Sequence, residues 1–133
     1  MGNQASAPSN FNVKQATYIV AALAASDDLA ETVVWMAPVN CKVQKVRFMP
    51  LGATTVTTTS VLTVKKGIAG TTVATVSKAT DYAAGTVVNL TVTDSAAELT
   101  EGQAVTFAIT NTSAASPAGV LSIEWTVNGL VSS

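Results

Sequence analysis

The chain has 133 residues, 48% hydrophobic and 11% charged, with a formal net charge of −1. That length supports one domain with one core, and the near-neutral balance supplies no basic stripe for nucleic acid. Histidine is absent and there is a single cysteine, which excludes an internal disulfide and the usual neutral-pH base.

The charged fraction is far below the roughly 25% of an ordinary soluble domain. Yet no apolar run approaches the ~18 residues of a membrane span, so no membrane partner is expected. Weak charge favours association, which argues for a subunit of an assembly. Residues 1–12 are rich in Asn, Ser and Ala, and they read as a flexible N-terminal arm ahead of a single domain over 13–133. The start lacks a basic region followed by an apolar run, so it does not read as a signal peptide. Met1-Gly2-Asn3-Gln4-Ala5-Ser6 matches an acylation pattern, but so short a pattern arises readily by chance.

From Val13 onward the pattern is β. Ala richness in 13–25 favours helix, whereas Thr17-Tyr18-Ile19-Val20 favours a strand, expected from about Thr17 to Ala24. Glu31–Met36 is apolar on both faces, as in a central, doubly covered strand or one with a face in an interface. Cys41–Met49 follows with a slip of phase: Val43 points one way and Val46 and Phe48 the other, which predicts a bulge near Gln44-Lys45. Lys42, Lys45 and Arg47 read as a solvated face, with an acidic partner surface as the alternative.

Pro50–Ser60 is a Thr-rich loop or edge strand. Ser60–Lys66 and Thr71–Val76 read as strands of a hairpin around Gly67–Gly70. Lys78–Gly85 is a connection in which Asp81–Ala84 has the composition of one helical turn. Thr86–Val92 and Ala104–Thr110 alternate cleanly on either side of a corner at Asp94–Gly102, with Val88, Leu90, Val92, Val105, Phe107 and Ile109 as core. Asn111–Gly119 reads as a loop. Val120–Asn128 alternates again, with Leu121, Ile123, Trp125 and Val127 inward. The count of about eight strands, with turn signals every 8–12 residues, gives an all-β fold: an antiparallel β-sandwich, jelly-roll-like, with an immunoglobulin-like order left open.

The chemistry of a site is thin. No acid–base constellation is legible, so no enzyme and no cofactor are expected. Asp27, Asp28 and Glu31 offer oxygen atoms without the spacing of a dedicated calcium loop, so no metal is expected. Trp35 and Trp125 sit at core positions, which leaves Tyr82, in a loop, as the exposed aromatic on which a sugar would stack.

Four runs together carry a resemblance. Trp35–Val46 reads strand, Pro turn, strand; Leu62-Thr63-Val64-Lys65-Lys66-Gly67 ends a strand on basic residues; Gly85–Thr91 and Leu99–Val105 complete the pattern. Across most of Thr17–Val127 the chain resembles the small β-sandwich head-decoration, or cement, proteins of tailed bacteriophages. The likeness is one of strand pattern and composition, and tail-fibre modules share much of it. The resemblance implies a structural virion protein on the outer capsid surface, trimeric, bridging neighbouring subunits of the major capsid protein without a cofactor. The arm would then clamp a neighbour. The interface residues expected on this reading are Phe11, Val13, Trp35, Leu51, Thr55 and Thr57. The alternative is a receptor- or glycan-binding β-sandwich of a phage tail fibre or head fibre.

Overall fold

The computed structural model describes residues 13–20, 28–112 and 115–127. Expectations for the arm, Phe11 included, for 21–27 and for the chain beyond Val127 fall outside them.

The strands are β1 (Val13–Val20), β2 (Leu29–Met36), β3 (Cys41–Pro50), β4 (Ser60–Lys66), β5 (Thr71–Lys78), β6 (Val88–Val92), β7 (Glu98–Leu99), β8 (Ala104–Asn111) and β9 (Gly119–Val127). They form one antiparallel sheet in the order β1-β9-β3-β6-β5-β4-β8-β2, with β7 beside β3. The sheet is nearly closed into a barrel, with β1 and β2 as its two ends.

β3 is the spine of this arrangement. One of its edges pairs with β9 from Cys41 to Pro50, and the other takes β7 at its start and β6 further on. The register shifts between Val43 and Lys45, so Gln44 is the extra residue. The predicted bulge is therefore present, and it is what lets Val43, Val46 and Phe48 all turn inward. β6 turns the corner of the barrel. Its first residues pair with β3 and its last with β5, so five residues join two walls.

Inward side chains of β3, β4, β8 and β9 fill the interior, with Phe48, Leu62, Val64, Phe107, Ile109, Leu121 and Ile123 all buried. The Phe48 ring lies 5.7 Å from Phe107 and 6.2 Å from Tyr82, the latter edge-on, a spacing favourable for aromatic quadrupoles. Cys41 is fully buried and packs as a small hydrophobe, and burial pushes its thiol up.

Three expectations are corrected. Glu31–Met36 is not central: it belongs to β2, which pairs only with β8 among the described strands. Its two-faced apolar pattern arises because bulges realign it, so that Leu29, Val34 and Trp35 pack on the core while Val33 and Met36 stay exposed. Asp81–Ala84 forms no helical turn; Tyr82 instead makes a β-bridge with Thr54. The strand expected over Thr17–Ala24 starts earlier, at Val13, because all eight residues of β1 find partners on β9.

Candidate functional site

The outer face of β1, β9 and β3 carries a shallow surface groove of about 240 Å³, lined by Thr17, Arg47, Met49, Val87, Val120 and Ser122. Strand register explains it. Ile19, Val120 and Met49 form one cross-strand row, and Thr17, Ser122 and Arg47 form the next. The short Thr17 and Ser122 side chains of the second row leave a trough, walled by Arg47, beside the apolar first row. Beyond it, Glu124 and Lys45 share a polar row.

The apolar row continues past the sheet. Leu51 follows β3 and is fixed by its N–H donating to Ala118 O at 2.7 Å, while Gly85 N–H donates to Pro50 O at 2.8 Å and brings 85–87 to the same end. Ile19, Leu51 and Val87 are 70%, 53% and 43% exposed. Apolar side chains this exposed and this clustered mark a protein contact surface more often than a random scatter does.

The expected interface residues distribute unevenly. Leu51 stands at the end of this band. Val13 opens β1 opposite Thr126. Trp35 is half-buried near the opposite end of β9, its ring 5.2 Å from that of Trp125, so it is largely internal packing. The Trp125 indole N–H finds no acceptor among the described residues. Thr55 and Thr57 are exposed, on a loop that does not line the groove. Ile19, Met49, Val87 and Val120 were missed, although a signal existed: the alternation that sends Ser122 and Glu124 outward also sends Val120 outward.

Tyr82 is not an exposed platform. It is 1% exposed, and its hydroxyl lies 2.6 Å from Ser60 Oγ. Lys78 Nζ sits 5.4 Å from the ring centroid, and with the hydroxyl engaged in the core no face is left for a sugar.

Several charged groups are committed to the fold. Lys42 Nζ meets Asp94 Oδ1 at 2.7 Å, and that hydrogen bond raises the ammonium above its ordinary range. Asp28 Oδ1 accepts from Asn111 N–H at 2.7 Å. Glu31 accepts from Thr106 Oγ1 at 2.6 Å and from Ala69 N–H at 3.0 Å. Ala69 is held at φ 55°, a conformation uncommon outside glycine, so Glu31 props a strained turn. The Thr106 hydroxyl first, then the Ala69 amide, hold the Glu31 carboxyl below its usual range. A depressed carboxylate supports the fold above its unfolded pKa and loses that support as pH falls through the folded one. Glu31→Gln, compared with the wild type at one pH, is therefore expected to speed hydrogen exchange at the Ala69 amide, and acidification through the carboxylate range to lower that amide's protection relative to its intrinsic rate; unchanged protection in both would show that the carboxylate does not hold the turn.

Among the described residues no group of three or more Cys, Asp or Glu side chains is placed to hold a metal ion. No protein family matches the chain, and neither a curated protein nor a solved structure does.

Proposed function

We propose that this chain is a structural virion protein that decorates and stabilises a bacteriophage capsid, docking on the outer surface of the shell and bridging subunits of the major capsid protein. One observation carries the reading: the apolar band of Ile19, Val120, Met49, Val87 and Leu51, in which Ile19, Leu51 and Val87 are exposed. Such a face gains contact area at low desolvation cost, which is what a cement subunit needs in place of chemistry. A jelly-roll-like sandwich is the finer form of the fold this role implies, with the near-closed sheet pressed into two layers. The fibre-module alternative loses its stacking residue with the burial of Tyr82.

The test is reconstitution. Purified full-length chain is added to capsid shells that lack it, alongside a chain deleted for 1–12. The full chain is expected to co-sediment at stoichiometric copy and raise the shell's resistance to heat, and the deletion is expected to weaken attachment. Failure of the full chain to bind the shell would overturn the role; full binding by the deleted chain would remove the arm from it.

A further inference from the structure

Among the described residues the barrel has two strand edges without a partner, and they differ. β1 pairs with β9 in one unbroken register from Val13 to Val20. β2 carries two register shifts, between Leu29 and Thr32 and between Val33 and Trp35. Bulges disturb the spacing of free N–H and C=O groups and are a recurrent guard against strand addition. β1 has no bulge and no proline, and Ala16–Val20 has no charge. Edges this regular are ordinarily covered.

We propose that β1 pairs antiparallel with β1 of a second copy, about a twofold axis through Thr17. The occupant must bring an extended, uncharged strand, and Ala16-Thr17-Tyr18-Ile19-Val20 is itself such a strand. A twofold makes the pairing antiparallel. Opposed residues share a face of the sheet, so the axis must pass through a residue rather than between two. With Thr17 opposite itself, Ala16 meets Tyr18, Gln15 meets Ile19 and Lys14 meets Val20. No like charges are opposed.

The same axis explains the seam. Every step along the strand order is antiparallel, and the number of steps from β1 to β2 is odd, so the two edges run antiparallel to each other. Between them lies an apolar cleft of about 230 Å³ whose lining includes Tyr18, Val20, Leu29, Val34 and Phe107 and no charged side chain. On the proposed twofold each copy brings this uncharged cleft to the contact, so no charge is buried there. A threefold ring would instead set β1 against the partner's twice-bulged β2, where a ladder cannot run the length. The proposal rests on the edges; of the outer-face band only Ile19 lies on β1, and Leu51, Val87, Met49 and Val120 stay open in the dimer, so Leu51 and Val87 variants read capsid docking apart from dimerisation.

The experiment uses the full chain and its Thr17→Cys variant. Thr17 is exposed, and the native Cys41 is fully buried and does not compete. Opposed Cα atoms in antiparallel pairs are roughly 4.5–5.5 Å apart, inside the ~4.4–6.8 Å that a disulfide spans. Light scattering is expected to give twice the 13.5 kDa chain mass. Mild oxidation of Thr17→Cys is expected to give a covalent dimer that reductant reverses, and Ile19→Lys to weaken dimerisation at least about tenfold by charging the edge. A monomer at all concentrations, a trimer, or a dimer that Thr17→Cys does not cross-link would each overturn the proposal.

Discussion

Replacing Tyr82 with alanine is expected to cost about 3–5 kcal/mol of folding stability, and replacing it with phenylalanine about 1–3 kcal/mol. The ring contributes the larger share. It is buried against Phe48, 81° from coplanar, and no neighbour can swing in to fill its volume because the loop above depends on it. Thr54 and Tyr82 exchange backbone hydrogen bonds at 2.8 and 3.1 Å, and Val56 N–H donates to Asp81 at 2.8 Å. The hydroxyl contributes the rest. Ser60 Oγ donates to Asn111 Oδ1 at 2.6 Å, so it accepts from Tyr82, and Asn111 Nδ2 donates onward to Ser116 at 3.0 Å. Phenylalanine leaves the fully buried Ser60 without its donor.

The same group sets an alkaline limit. Burial pushes the Tyr82 phenol above its ordinary 10.0. The unfolded chain therefore releases this proton first, and stability falls as pH rises past that value. Urea unfolding at neutral pH and again above pH 10 is expected to show a larger loss in the wild type than in Tyr82→Phe, which keeps only the alkaline loss due to Cys41 and Lys42. An alanine variant within about 0.5 kcal/mol of wild type, the range of an ordinary surface change, would refute the placement of the ring.

The sequence spoke plainly wherever one strand has one wet face. β9 alternates without interruption and β8 does so except at Thr106, buried against Glu31, and every core residue expected there is inward. The bulge in β3 was legible because Val43, Val46 and Phe48 cannot share a face without an extra residue. Neighbour relations were not legible. Thr86–Val92 and Ala104–Thr110 look like a pair around one corner, yet β5 and β4 stand between β6 and β8. Local alternation reports a buried face and is silent on which strand lies alongside.

Gly119 shows the same limit from another side. It closed a loop by composition, but it opens β9, and a Cβ there would lie 2.4 Å from the Phe48 ring and 2.7 Å from Met49 O. Its smallness serves a ring that is distant in sequence. Tyr82 was misjudged for a related reason: its flanks are polar and exposed, and only the bridge to Thr54 turns it inward. The groove needed three strands in register before its residues became neighbours, so only Leu51 of its band was anticipated.

Phe107→Ala is expected to cost about 3–5 kcal/mol, a large part of the roughly 5–15 kcal/mol that holds a domain together. Phe107 is fully buried on β8, opposite Val64 of β4 and Thr32 of β2, and it forms the floor of the cleft between β1 and β2. These roles make its loss directional. On the β4 side its neighbours are ladder-bonded on two edges and cannot follow the receding side chain. On the β2 side the strand is paired along one edge and already bulged, so it gives way first. Hydrogen exchange is therefore expected to accelerate more in Leu29–Met36 than in the β3–β9 ladder. Equal acceleration in both would mean that β2 opens only with the whole barrel. Phe107→Leu keeps most of the volume and is expected to cost less than about 1.5 kcal/mol, with β2 still protected. The contrast isolates the floor of the cleft from the hydrophobicity of the site. It also bears on assembly, because a β2 edge that opens cannot present a fixed cleft to its twofold mate, and Phe107→Ala is expected to dissociate the dimer at concentrations where Phe107→Leu remains paired.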